Sequence, residues 1–146
     1  MRSSNVRAIT LILLAGWLLV TPVSAETLRL VAKQPGSWVE EPEHGSAEIT
    51  YHPENGQFRL TATGLTANES YVLVQHTQQG NGQGYIITGI KASSLGTATA
   101  QGEWSHWQGK IWLVLQRDVA GKAGDQIVDR LTGWHPRHYL FETRLL

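Results

Sequence analysis

Apolar and polar residues alternate in short runs through most of this chain, and after residue 25 no run of helical period has a useful length. Gly, Pro, Asn and Asp bound these runs, as is typical of β-strands that bury one face. Between the second and third runs, the segment 52–56 ends in Asn55-Gly56, a pair that favours the positive φ angles of a hairpin turn. The three clearest runs, and therefore the firmest strand predictions, are 28–32, 46–51 and 57–62.

Two later runs are apolar on both faces, which is typical of strands that are covered on both sides. We expect them to be central strands whose outer side is shielded by a long loop or by a partner. The Gln-, Asn- and Gly-rich segment 78–84 is expected to form a mobile loop. The whole pattern predicts an all-β domain, an antiparallel β-sandwich of about eight or nine strands with an immunoglobulin-like or related Greek-key topology. The doubly apolar runs are 71–74 and 111–115, and further strands are predicted near 84–91, 96–103, 126–131 and 138–145.

The segment 1–25 has the three parts of a secretory signal peptide. Arg2 and Arg7 make its N-terminal region positively charged, and an apolar run follows at 8–20. The small side chains of Val23-Ser24-Ala25 then suit a cleavage site before Glu26. This run is shorter than the roughly 20 apolar residues that span a bilayer. We therefore predict a signal peptide at 1–25, a single domain at 26–146 without a membrane span, and a periplasmic or extracellular location.

Charge and cysteine content exclude several classes of function. The chain has no Cys, so an exported form has no disulfide and no thiolate metal ligand. Because Arg2 and Arg7 belong to the leader, residues 26–146 keep ten basic and twelve acidic side chains, a net charge of −2. That balance leaves no basic surplus for phosphates, and we predict that the protein binds no nucleic acid. The sequence also has no nucleophile-elbow, zinc-protease or phosphate-loop motif, so we expect no cofactor and favour binding or assembly over catalysis.

The segment 61–74, TATGLTANESYVLV, resembles the corner between strands E and F of fibronectin type III and related immunoglobulin-like domains. The resemblance implies that the Tyr71 hydroxyl bonds back to the backbone of the 65–70 link and that Leu65 fills the core beneath it. It is confined to this segment, and about half of the chain follows Val74, so the strand order of that family is not carried over. A wider pattern that includes Gly133-Trp134-His135-Pro136 resembles uncharacterised secreted prokaryotic domains, which implies a shared sandwich and a secreted setting but no activity.

Tryptophans supply the candidate ligand site. Trp104, His106 and Trp107 lie in a polar stretch bounded by Gly, and Trp134 is a fourth candidate. Flat aromatic faces beside Glu, His and Gln suit sugar rings or peptides, so a glycan or a partner protein is the expected ligand. The alternative is that Trp104 and Trp107 cap the ends of the core, as large aromatic residues often do. Trp112, inside the most apolar run, is interpreted as a core residue.

Two alternative functions come from other residue types. The first is a zinc- or copper-binding protein that uses His135 and His138, three residues apart, with His76 or His106. The second is an unrecognised hydrolase. The sequence pairs no carboxylates for it. The acidic cluster at 40–43 is interpreted as a solvated loop, because glycoside hydrolysis would need a cleft that the sequence does not reveal.

Overall fold

The computed structural model describes residue 19 and residues 24–76, 84–127 and 131–146. Antiparallel strands dominate these residues, and their helical turns are three single turns of 3-10 helix, at Pro42–His44, Gln116–Asp118 and Pro136–His138. Each predicted strand has a counterpart, so the all-β antiparallel class is confirmed. The strands are β1 (Glu26–Val31), β2 (Ser46–Tyr51), β3 (Gln57–Thr63), β4 (Ser70–His76), β5 (Gly84–Lys91), β6 (Ala98–Glu103), β7 (Lys110–Leu115), β8 (Gln126–Ile127) and β9 (Leu140–Glu142).

These nine strands form one hydrogen-bonded sheet in the order β6-β3-β2-β1-β9-β7-β4-β5-β8. The sheet curls until β5 packs beside β6, and it is therefore nearly closed. Because side chains alternate between the two faces of a strand, the concave face of the curled sheet encloses the core. The fully buried side chains on that face come from most of the strands and include Leu28, Leu30, Ile49, Leu60, Leu73, Ile111 and Leu113.

β2 and β3 form the predicted hairpin in continuous register. The expectation that both turn residues take positive φ is wrong, because only Gly56 does, with φ of 74°. The connection is longer than a two-residue turn, and Asn55 acts through its side chain instead. Its Oδ1 accepts a hydrogen bond from the Gln57 N–H at 2.9 Å, which holds the loop against the start of β3.

β4 and β7 lie in the middle of the sheet, as their two apolar faces predict, and each pairs with a strand on both sides. Val74 and Val114 point away from the concave face and are nevertheless fully buried. A covering loop is present over β7, where Trp134 of the segment 131–139 packs on Trp112 with ring centroids 6.2 Å apart. The outer face of the central strands is therefore partly covered by the chain itself.

The link between β3 and β4 makes the contact that the tyrosine-corner resemblance implies. The buried Tyr71 hydroxyl accepts a hydrogen bond from the Thr66 N–H at 2.9 Å. Leu65 is 8% exposed, and its N–H donates to the Gly96 carbonyl at 2.9 Å. The corner thus anchors the link over one end of the core.

Several predictions fall outside the described residues. They are the signal peptide, apart from residues 19, 24 and 25, the loop predicted at 78–84, apart from Gly84, and the part of the predicted 126–131 strand at 128–130. In the parts of the chain that are described, no helix is both long and apolar enough to cross a membrane.

Candidate functional site: a tryptophan cleft

The five tryptophans that follow the predicted leader fall into two groups. Trp38, Trp112 and Trp134 gather on the convex face of the sheet, where each contacts Phe141. Trp104 and Trp107 form the second group, and like Trp112 they pack against the core cluster. Of the four candidate ligand residues predicted from the sequence, the structure therefore separates Trp134 from the other three.

Phe141 of β9 lies at the centre of the first group. It is 4% exposed, and the rings of Trp38 and Trp112 meet it edge-on with centroids 5.4 and 5.2 Å away. The pairing of β7 with β9 places Trp112 directly opposite Phe141. Trp38 and Trp134, with centroids 6.3 Å apart, are 44% and 51% exposed and flank this pair.

The four aromatic rings enclose a cleft of about 360 Å³, which we call the tryptophan cleft. Two ammonium groups and one carboxyl group complete its lining. The residues that line the cleft are Lys33, Trp38, Lys110, Trp112, Trp134, Phe141 and Glu142.

The segment that carries Trp38 is a short excursion between Lys33 and Glu40, which are joined by an isolated β-bridge. Within it, the Gln34 N–H donates to the Val39 carbonyl at 2.9 Å and the Trp38 N–H donates to the Gln34 carbonyl at 2.7 Å. Trp38 has a φ of 60°, in the left-handed region that bulky residues seldom adopt. Such a conformation costs about 1–3 kcal/mol and recurs where a side chain is held for binding. The strain at Trp38 therefore marks this position as a functional candidate.

Asp118 fixes the segment that carries Trp134. Its backbone carbonyl accepts the N–H groups of Thr132 and Gly133, at 2.7 and 3.3 Å. Its carboxylate accepts the Tyr139 hydroxyl and lies 2.9 Å from His135 Nδ1, which makes Nδ1 the protonated ring nitrogen. The residues immediately before and after Trp134 are thus tied to one buried residue, Gly133 to its backbone carbonyl and His135 to its carboxylate.

The pKa of the Asp118 carboxyl is set by the same hydrogen bonds that hold the Trp134 segment. Burial by itself raises the pKa of the Asp118 carboxyl, but the hydrogen bonds from Tyr139 and His135 outweigh burial and hold the pKa below its usual range. Burial and the adjacent carboxylate raise the pKa of Tyr139, so its hydroxyl stays protonated and able to donate. The anchor of the Trp134 segment is therefore a carboxylate that accepts charge-assisted hydrogen bonds.

The polar groups of the cleft are incompletely paired. Trp112 Nε1 and the Glu142 carboxyl group are neighbours, but Nε1 and Oε2 are buried and neither makes a hydrogen bond of good geometry to any described residue. Burial raises the pKa of the Glu142 carboxyl, and the nearby Trp112 indole and Lys33 and Lys110 ammonium groups offset only part of this. The Lys110 ammonium lies over the Trp112 ring, 5.8 Å from its centroid. Orphaned polar atoms of this kind are rare in folded proteins and call for a partner.

Trp104 and Trp107 close the other end of the core. The Trp104 indole N–H donates to Oε1 of the buried Gln75 at 2.9 Å. Trp107 stacks on Tyr51 with centroids 4.8 Å apart and meets Phe58 edge-on. This packing favours the alternative in which the two tryptophans are core caps. Their role in ligand binding stays a prediction.

His106 packs edge-on against Trp104 and is exposed. Trp107 also borders a shallower pocket of about 330 Å³ with Glu26 and Arg144. The candidate residues at this end therefore stay near one another, but they present less exposed aromatic surface than the tryptophan cleft.

The histidines proposed as metal ligands have separate partners. His135 pairs with Asp118, and His138 Nδ1 lies 2.9 Å from the Thr66 hydroxyl. His76 packs beside Trp112, and burial, together with the charge of Lys110, lowers its pKa. Within the described residues, no three His, Asp or Glu side chains converge on a point where a metal could bind. In the acidic cluster, Glu41 pairs with His44 at 3.2 Å on an exposed loop.

Sequence reasoning missed most of the cleft. The position of Trp112 on the convex face could have been predicted from the alternation of side chains along a strand. Since Ile111 and Leu113 face the core, Trp112 between them must face the other way. Nothing in the local sequence brings Trp38 to Phe141. Comparison of the chain with protein-family models, with curated proteins and with solved structures finds no match.

Proposed function

We propose that the protein is an exported binding module that holds a glycan in the tryptophan cleft. The observation that carries the proposal is the pair of half-exposed indoles, Trp38 and Trp134, held by two fixed segments over buried polar atoms that lack partners. Sugar rings offer apolar faces for indoles and hydroxyls for hydrogen bonding. The Trp112 N–H and the Glu142 carboxyl group are the donor and acceptor that those hydroxyls would satisfy.

The size of the cleft supports a glycan over a protein partner. Small-molecule sites occupy about 300–1,000 Å³, and the cleft of about 360 Å³ falls in this range. A stable protein interface buries about 800 Å² on each partner. Among the described residues that line the cleft, only Trp38 and Trp134 are exposed large apolar residues, which is far less apolar surface than such an interface needs.

Binding, as opposed to glycoside cleavage, is favoured by the number of carboxyl groups in the cleft. Glycoside hydrolysis generally uses two of them, one on each side of the scissile bond. Glu142 is the only carboxyl group among the residues that line the cleft in the described part of the chain. We therefore assign recognition, and not catalysis, to this site.

A glycan panel tests the proposed function. Purified residues 26–146 are titrated with neutral and acidic oligosaccharides while tryptophan fluorescence and heat of binding are recorded. Trp134→Ala and Trp38→Ala should each weaken binding about thirtyfold or more, the loss of roughly 2 kcal/mol that is typical of a desolvated aromatic anchor. Leu95→Ala, which removes an exposed apolar side chain outside the cleft, is the control.

Two results would contradict the proposal. One is the absence of binding to every sugar by a folded protein. The other is glycan binding that both tryptophan variants retain. Capture of a protein partner through Trp134 in place of a glycan would move the site to the class of protein interfaces.

The export proposal has its own test. Small residues before Glu26 fit a signal-peptidase groove, so the exported protein should begin at Glu26. Intact-mass analysis of the protein recovered outside the cytoplasm measures this directly. A recovered chain that still carries residues 1–25 would overturn both the leader and the compartment.

A further inference from the structure

The tryptophan cleft has a surplus of positive charge. Lys33 and Lys110 are half-buried at its lining, and neither ammonium group forms an ion pair with a described residue. Among the described residues that line the cleft, Glu142 is the only acid. This local surplus is unusual in a chain whose residues 26–146 carry a net charge of −2.

We propose that the tryptophan cleft selects glycans that carry an anionic group, and that Lys33 and Lys110 bind that group. This inference rests on the proposed function and narrows its ligand class. The anion can be the carboxylate of an acidic sugar or a sulfate ester, since both offer the same acceptor oxygens to two ammonium groups.

Charge complementarity carries the inference. A neutral glycan would use the indole faces, but it would leave the two ammonium groups at the lining without an anionic partner. An anion between Lys33 and Lys110 would form charge-assisted hydrogen bonds with both.

A cationic ligand is the main competitor, because tryptophan-lined sites can bind cations over the ring face. Here the Lys110 ammonium already lies over the Trp112 ring, 5.8 Å from its centroid. A second cation would meet both Lys110 and Lys33 at short range. The lining therefore favours an anion over a cation.

The test compares three tetramers that share one β-1,4-linked backbone and differ in the group at C6. These are a tetramer of β-1,4-linked glucuronic acid, its carboxyl-reduced counterpart cellotetraose, and cellotetraose with 6-O-sulfate groups. Binding to residues 26–146 is measured by calorimetry at low and moderate salt. One or both anionic tetramers should bind about tenfold or more tightly than cellotetraose, and the preference should shrink as salt is added.

Lysine variants localise the effect. Lys33→Gln and Lys110→Gln should each reduce severalfold the ratio of anionic-tetramer affinity to cellotetraose affinity, measured on the same variant. Lys91→Gln, which removes an exposed lysine of β5 outside the cleft, should leave the preference intact. Circular dichroism and thermal unfolding of every variant establish that it is folded before its affinity is compared.

The outcomes separate the two proposals. Equal binding of all three tetramers, or a preference for cellotetraose, would overturn the anionic specificity and leave the glycan-binding function standing. A preference that survives in Lys33→Gln and Lys110→Gln would likewise overturn the assignment to these lysines. If no tetramer and no member of the wider panel binds, the proposed function itself fails. Tighter binding of the glucuronate than of the sulfated probe, or the reverse, identifies which anion the site takes.

Discussion

Tyr71 and Tyr139 bury their hydroxyl groups in two different ways. The Tyr71 hydroxyl accepts a backbone N–H from Thr66, which satisfies a neutral group at the end of a link. The Tyr139 hydroxyl donates to the Asp118 carboxylate and accepts the His135 N–H at 3.1 Å, so it belongs to a charged network. The first contact stabilises the fold, and the second also positions the segment that carries Trp134.

Tyr71→Phe should lower the free energy of unfolding by about 1–3 kcal/mol, because the Thr66 N–H loses its acceptor. Urea unfolding monitored by far-UV circular dichroism measures the change. Tyr51→Phe is a matched control, since the Tyr51 hydroxyl bonds the exposed Glu26, where water can replace it. Equal midpoints for Tyr71→Phe and the wild-type protein would mean that the corner contributes nothing to stability.

Asp118→Asn should destabilise the protein in a pH-dependent way. The hydrogen bonds from Tyr139 and His135 lower the pKa of the native carboxyl below that of the unfolded chain, about 3.9. The unfolded state therefore binds more protons between the two pKa values, and the stability that ionised Asp118 contributes is present above pH 4 and is lost as pH falls through the native pKa.

The measurement is urea unfolding of both proteins at several pH values between 2 and 7. The difference between wild type and Asp118→Asn should be largest near neutral pH and should shrink at the acid end. Glu48→Gln removes one negative charge from an exposed position of β2 and controls for the change in net charge. A difference that stays constant over the whole range would show that ionisation of Asp118 does not stabilise the fold.

Among the secondary-structure elements, the local pattern of apolar and polar residues was sufficient to locate the strands. Period-two alternation located β1, β2 and β3, and the doubly apolar runs correctly marked β4 and β7 as central. The tyrosine-corner motif gave a contact between residues five apart, which is within reach of a short link. These features were predictable because each depends on neighbours in sequence.

The candidate site was not predictable in the same way, because it is assembled from distant residues. Trp38 contacts Phe141, about a hundred residues further along the chain, and Asp118 holds His135 across the segment between β7 and β9. Both contacts depend on the pairing of β9 with β1 and β7, a strand order that alternation does not reveal. The sequence also did not show that Trp112 lines a cleft, because its neighbour Phe141 is placed opposite it only by the pairing of β7 with β9.

Gly133→Ala should displace the segment that carries Trp134. A methyl group there would overlap Oδ1 of Asp118 and lie 2.9 Å from its Cγ, and Asp118 cannot move without breaking its hydrogen bonds. We expect a loss of about 1–3 kcal/mol of stability from this overpacking and at least a severalfold loss of glycan affinity. Gly89→Ala is the control, because its new Cβ would have no neighbour closer than 3.8 Å. If Gly133→Ala binds glycan like the wild type, the segment is not held by Asp118.

At the scale of the whole molecule, the tryptophans divide between stability and recognition. Trp104 and Trp107 pack on the concave side against Gln75, Tyr51 and Phe58, where they close one end of the core. Trp38 and Trp134 lie on the convex side and are about half exposed. The same residue type thus serves the fold on one face of the sheet and the proposed ligand on the other.

This division predicts that substitutions in the concave pair and in the convex pair have opposite effects on stability and on glycan affinity. Trp107→Ala should cost about 3 kcal/mol of unfolding free energy, near the lower end for a buried tryptophan, because it leaves a cavity between Tyr51 and Phe58. Trp134→Ala should cost about 1 kcal/mol, since it loses aromatic contacts at a half-exposed position, but it should abolish most glycan binding. Urea unfolding and calorimetric titration of both variants make the comparison. If Trp107→Ala keeps its stability and loses glycan affinity while Trp134→Ala does the reverse, the ligand site lies at the Trp104–Trp107 end and the tryptophan cleft is structural.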